Sequence, residues 1–424
     1  MTELIQPVKG FNDVLADQAP FWDRLERVAD ELFAGYGYQR VYLPVLERTE
    51  LVSRSIGELT DIVSKEMFTF DDHGDSLTLR PEGTAGVVRA ALSNGLLHNQ
   101  QQKLWLSGPM FRREKPQKGR YRQFHQMSVE ALGFAEPEID AELIALCARL
   151  WRGLGLSSVK LELNTIGTAE SRQKYKQVLV EYFSQHRQLL DEDSVRRLER
   201  NPLRILDSKN PALRELIEAA PLLSSYLDDE SRVHFERVQA LLGDVGVAYT
   251  LNPRLVRGLD YYSRTVFEWV TDRLGAQSAV CSGGRYDGLV AQLGGRDTPA
   301  VGWALGIERI VEVMQAEGIG ARDTPPDAQL VAAGDSERRF GFKLVDELRE
   351  RVPGVRISLG APSAGFKAQL RHADKSGARF ALIVGDSELK AGKIALKPLR
   401  DGTPQRLVTV EECVDLLRQT AASA

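Results

Sequence analysis

At 424 residues, with 43% hydrophobic and 27% charged side chains, the chain is too long for one ordinary core and too apolar for disorder. Two or three globular domains are expected. A net charge of -4 excludes a globally basic nucleic-acid binder but says nothing against local patches, and no apolar run approaches the roughly 18 residues that a membrane span requires.

The opening MTELIQPVKGFND has no basic stretch followed by an apolar one, so no secretory signal is expected and the expected address is the cytoplasm. Residues 21–36 place Phe21, Leu25, Val28, Ala29, Leu32 and Phe33 at the spacing of an amphipathic helix. VYLPVLE, from Val41 to Glu47, reads as a strand that Pro44 confines to an edge or an interface. EMFTF and SLTLR flank the polar turn DDHGD as a hairpin, and LRPEGTAGVVRAALS continues as a turn and a helix. KLWLSGPMFRRE and YRQFHQMSVEALGF are strand-like runs around the loop KPQKGR. After a helix ending near Gly153, VKLEL is a strand, and residues 168–246 read as an inserted helical, charge-rich domain. Strand character returns from Ala248 through Val270, with RGLDYY as part of an extended run, and again near residues 277–282. GIGARDTPPD, residues 318–327, has the composition of a linker. Beyond it, alternating apolar and helical runs suit a small α/β domain with a largely parallel sheet. The expected boundaries are 1–325 and 326–424.

Five segments carry polar groups that a buried element would have to explain. Arg112, Arg113, Lys115, Lys118, Arg120 and Arg122 stand against Glu114 alone, in a Gly/Pro loop flanked by Phe111 and Phe124. A charge run is usually a solvated face, but guanidinium forks beside aromatic rings also suit a nucleotide. Glu82 and Thr84 sit on the turn RPEGT, where a carboxylate either points to water or grips an ammonium group. Gln126 and Glu130, four apart on a strand, face one side, and a charge on the inner face of a central strand is costly unless a substrate pairs it. SGGRYDG lacks the Lys-Ser/Thr ending of a P-loop, and Arg309, after the strand GWALG, alone reads as structural. Cys147, Cys281 and Cys413 are widely separated and the six histidines show no HxxxH or HxH spacing, so neither a disulfide framework nor a zinc site is expected. The cysteines read as reduced, structural thiols.

Together these segments resemble the class II aminoacyl-tRNA synthetases, and among them the histidyl-tRNA synthetases. Phe21 to Pro44 matches motif 1, Gly108 to Gln126 with FRRE matches motif 2, and Ala300 to Ile310 with GIER matches motif 3. LVRGLDYYSRTVFEW and SGGRYDGLV match the two strings particular to the histidine enzymes. The resemblance covers essentially the whole chain. It implies an α+β class II core, an antiparallel sheet with flanking helices, with a helical insertion and a C-terminal α/β anticodon-binding domain. It further implies ATP-dependent activation of L-histidine, transfer to the 3′ end of tRNA(His), Mg²⁺ carried with ATP rather than held by a protein motif, and a homodimer built on motif 1.

Residue by residue, the resemblance implies that Arg112 holds the α-phosphate and the substrate carboxylate, Glu114 reads the adenine amino group, Phe124 stacks on adenine, and Arg120 and Arg309 hold the outer phosphates. Glu82, Thr84 and Gln126 would bind the histidine ammonium, Glu130 and Tyr262 the imidazole, and Tyr261 and Tyr286 would complete the wall. Arg257 would supply the cation at the α-phosphate during attack. Two rivals share the fold. A regulatory paralogue would lack the C-terminal domain and parts of the histidine strings, and a general ATP-dependent ligase would lack Glu130 with RGLDYY.

Overall fold

The computed structural model describes residues 4–56, 62–116, 119–206, 208, 210–256, 261–275, 278–320 and 325–422. Residues Met1–Ala321 form one compact unit and Arg322–Ala424 a second.

The first unit is built on an eight-stranded sheet in the order Gln39–Arg40, Gln102–Phe111, Gln123–Leu132, Ala300–Gly306, Ala279–Arg285, Ser263–Val270, Lys160–Thr165, Tyr249–Leu251. The interior pairs are antiparallel and the two edge pairs parallel. At its centre Gln102–Phe111 and Gln123–Leu132 pair from Gln102↔Leu132 to Phe111↔Gln123 without a slip. Side chains alternate across a strand. Met127, Val129 and Ala131 therefore enter the main core on one face, with Val301, Trp303 and Leu305 of the neighbouring strand. Helices Ala19–Gly35, Pro137–Leu154 and Ile307–Ala316 cover that face through Leu25, Ala29, Phe33, Leu143, Cys147, Leu150 and Ile310, all fully buried.

The single strand expected over Val41 to Glu47 gives way to two short ones, one just before it and one at its end. Gln39–Arg40 pairs with Gln102–Phe111, the chain then leaves the sheet through Pro44, which has no N–H to donate, and Leu46–Arg48 joins a separate three-stranded sheet. The hairpin of that smaller sheet, Phe68–Asp72 with Asp75–Leu79, turns on His73 and Gly74, both at positive φ (52° and 92°).

Between strands Lys160–Thr165 and Tyr249–Leu251 the chain is helical, with Ala169–Gln185, Glu192–Arg200, Arg214–Ala219 and Asp229–Asp244 as its α-helices. Tyr175, Leu179, Phe183 and Leu198 form a second cluster with Val87, Leu106, Tyr262 and Tyr286, whereas Val238 and Leu242 of the last helix join the main core. The insertion is thus packed into the first unit at both of its ends.

The sheet of the second unit runs Ile357–Ser358, Ala328–Ala332, Phe380–Val384, Ile394–Pro398, Arg406–Val408. The first three strands are parallel but the last two are antiparallel, so the expected largely parallel sheet is half right. The short helix Asp386–Ala391 and the strand Arg406–Val408 are additional to the expected elements, because both are brief and polar. Among the described residues no helix is long and apolar enough to cross a membrane. The three cysteines are buried and free, and Cys147 and Cys281, distant in sequence, lie with their sulfurs 3.6 Å apart.

Candidate active site

The face of the central sheet opposite the main core carries Phe124, Gln126, Ser128 and Glu130 along one strand. Beside them the next strand offers only Gly302, Ala304 and Gly306, in register with Glu130, Ser128 and Gln126. The small residues of that strand leave space for a ligand against bare backbone. A cleft opens there, lined by Arg112, Glu114, Arg120, Phe124, Gln126 and Arg309 and by Tyr121, Ser282 and Glu308.

Further along the same strand and face, Glu130 is fully buried. Thr84 Oγ1 donates to its Oε1 at 2.7 Å and the Tyr286 hydroxyl donates to its Oε2. Burial pushes the Glu130 carboxyl up to about 8, against the pull of those two donors. The rings of Tyr261, Tyr262 and Tyr286 are mutually packed, with centroids 4.6, 5.5 and 6.5 Å apart. Glu82 is buried on the turn before the helix Thr84–Ser93 and accepts the Thr84 and Ala85 N–H groups at 2.7 and 2.8 Å. It caps the helix, whose first N–H groups lack internal partners. Gln126 Oε1 is buried without a hydrogen-bond partner, and so is the neighbouring Ser128 Oγ. An orphaned acceptor facing a cleft is what a ligand donor would satisfy.

In the cleft Arg112 donates from Nε to the Pro81 carbonyl at 2.9 Å, and its guanidinium lies 5.1 Å from the Phe124 ring centroid. Glu114, buried, is ion-paired by Arg120 and lies 3.8 Å from Arg112. Arg309 is lowered from its ordinary value by burial and next by the charge of Arg120, and Arg120 by burial and next by Arg112. Three guanidiniums crowded so that each opposes the next form a site that a polyanion would relieve.

Residues 10–310 match the family model for histidyl-tRNA synthetase and residues 330–420 that for an anticodon binding domain. The chain is 53% identical to the histidine–tRNA ligase of Hydrogenovibrio crunogenus, over 99% of this chain and 98% of that one. It is 54% identical to that of Halorhodospira halophila, over 98% of each. The apo histidyl-tRNA synthetase of S. aureus superposes with a TM-score of 0.82 at 35% identity, covering 98% of this chain and 100% of that one. The chain belongs to the histidyl-tRNA synthetase family.

The geometry brings together Glu82, Thr84, Arg112, Glu114, Arg120, Phe124, Gln126, Glu130, Tyr261, Tyr262, Tyr286 and Arg309, all in the first unit. Arg257 lies outside the described residues, as does Lys118. Tyr261 and Tyr262 are not on a strand, contrary to the extended run expected through RGLDYY, because the strand begins only at Ser263. The family's string is therefore read from the segment leading into the strand. Arg120 meets Glu114 rather than open solvent, a pairing that the loop's surplus of cations concealed. Sequence reasoning also missed Tyr121, Ser282 and Glu308. Glu308 accepts from the His125 backbone N–H at 3.0 Å and lies 2.9 Å from its Nδ1, fixing the start of the helix Ile307–Ala316 to the motif 2 strand. The string GIER contained that signal in its acid.

Proposed function

We propose that the cleft joins L-histidine to ATP as histidyl-adenylate and then passes the histidyl group to the 3′ end of tRNA(His). The observation that carries this reading is the buried Glu130 carboxyl on the same strand face as Phe124 and Gln126, which line a cleft with the guanidiniums of Arg112, Arg120 and Arg309. Each Glu130 oxygen accepts one hydroxyl and keeps a second lone pair, so an ionised Glu130 can receive an imidazole N–H, and below about pH 8, where the carboxyl is protonated, it donates that proton to the imidazole nitrogen instead, with Tyr262 at its side. Gln126 Oε1 supplies an acceptor for the substrate ammonium, and Glu82 and Thr84 close that corner. Phe124 stacks on adenine. Glu114 reads the adenine amino group once Arg120 exchanges its carboxylate for a phosphate, with Arg309 on the same phosphate chain.

In the first step an oxygen of the histidine carboxylate attacks the α-phosphorus and pyrophosphate leaves. Charge grows on the phosphoryl oxygens, where Arg112 and Arg257 stabilise it. In the second a ribose hydroxyl of the tRNA attacks the mixed anhydride and AMP leaves, so no protein nucleophile is needed. Mg²⁺ would arrive on the phosphates and neutralise their charge, with Glu268 and Glu312, whose charges act on Arg309, as the acids at that end. A homodimer is also proposed. Ile5, Val8, Tyr42 and Phe70 are exposed, Ile5 at 95%, on the N-terminal segment, within motif 1 and on the three-stranded sheet, and a second copy would cover them. Sedimentation at nanomolar to micromolar concentration tests it.

Amino-acid-dependent ATP–pyrophosphate exchange across the twenty amino acids tests the main reading. Histidine alone should support it, because a site built to hydrogen-bond a substrate group rejects analogues lacking that group by ~10⁴-fold or more. Comparable exchange with another amino acid would refute the specificity, and none at all would favour the regulatory paralogue.

A further inference from the structure

Arg285 is fully buried at the end of the strand Ala279–Arg285. Burying a guanidinium is costly unless every donor is used, and here the donors fan out over several elements. Nε and Nη2 donate to Asp140, itself fully buried on the helix Pro137–Leu154. Nη1 donates to the Phe134 carbonyl at 2.8 Å and to Asp287 at 3.2 Å, and Nη2 also to the Glu136 carbonyl at 3.1 Å. Asp287 in turn accepts the Ala300 N–H at 3.0 Å.

These partners bracket Glu130. The carbonyls of Phe134 and Glu136 belong to the segment that leaves the strand carrying Glu130, only a few residues beyond it. On the other side Tyr286 follows Arg285 directly, bonds its N–H to the Ala300 carbonyl at 2.7 Å and presents its hydroxyl to Glu130 Oε2. We infer that Arg285 is a positioning residue for histidine recognition: one side chain fixes both the strand that carries Glu130 and the tyrosine that orients it. This rests on the reading of the cleft as a histidine pocket.

The test is a double-mutant cycle on the full chain with Arg285→Lys and Tyr286→Phe. Lysine keeps a charge for Asp140 but lacks the fork that spans the two carbonyls. Phenylalanine keeps the ring and loses only the hydroxyl. Each single variant should raise the histidine KM in pyrophosphate exchange about tenfold, the scale of one well-placed hydrogen bond, with the ATP KM within about twofold. The double variant should be little worse than the poorer single one, because Arg285 acts through Tyr286 and Glu130. Effects that multiply, or an equal rise in both KM values, would overturn the inference and leave Arg285 a general brace. Should Arg285→Lys fail to fold, Asp287→Asn loosens the same guanidinium with Asp140 still paired, and the same cycle applies. Absence of histidine-dependent exchange in the unmodified chain would instead refute the pocket itself, a separate outcome.

Discussion

Burial governs the titration of Glu130. Its carboxyl is pushed up to about 8 by burial, against an ordinary 4.5 in an unfolded chain. Between those values the folded chain retains a proton that the unfolded chain has released, so the contribution of Glu130 to stability is complete below about 4.5 and is lost as pH rises through about 8. Melting curves of the wild type and Glu130→Gln from pH 5 to 8.5 should show the wild type losing ground to the variant by on the order of a few kcal/mol. A difference independent of pH would show that the carboxyl is not perturbed. Gly302 is tied to the same group. A Cβ there would lie 1.8 Å from Glu130 Oε2 and 2.6 Å from the Val129 carbonyl. Gly302→Ala should therefore cost about 1–3 kcal/mol and raise the histidine KM more than the ATP KM. Equal KM values for wild type and variant would mean the carboxylate has room to move. For Arg257→Ala, single-turnover adenylation should slow by on the order of 10² to 10³, with histidine affinity changed far less.

At the level of elements, the helical insertion is stitched by one carboxylate. Asp228 accepts from Thr168 Oγ1, Ser171 Oγ and Ser231 Oγ at 3.0, 2.8 and 2.9 Å and from the Ser231 N–H at 2.7 Å. It caps Asp229–Asp244 and joins it to Ala169–Gln185, and those donors hold its carboxyl well below the usual range despite the opposing effect of burial. Asp228→Ala should lower stability by about 1–2 kcal/mol, read as a lower melting temperature, while pyrophosphate exchange at 25 °C stays near wild type. An unaltered melting temperature would make the cap dispensable. The central hairpin was legible because apolar alternation has a period of two, and the same period placed Gln126 and Glu130 on one face. Arg285 was not legible, since a cation amid glycines reads as a loop and its partners other than Asp287 lie about 150 residues away. Tyr261 and Tyr262 were misplaced onto a strand because aromatic alternation cannot mark where pairing starts. The break at Pro44 reflects a competition between strand propensity and a missing donor that local pattern alone does not decide.

Over the whole molecule, the described hydrophobic clusters fall wholly within one unit or the other. A chain cut after residue 325 should thus keep histidine-dependent exchange and lose charging through a raised KM for tRNA, since remote contacts that supply binding energy are gone. Equal loss of exchange, charging and melting temperature would make the C-terminal unit a prop for the core. The central sheet of the first unit has another consequence. A single layer of backbone separates Met127, Val129 and Trp303 from the cleft lined by Gln126, Ala304 and Gly306. On the proposed reading, thermostability and substrate affinity are therefore not independent traits there: repacking the dry side moves the floor of the cleft that is proposed to hold the substrates. Attempts to harden this enzyme should begin elsewhere, in the cores of the C-terminal unit, where one trait can drift without dragging the other.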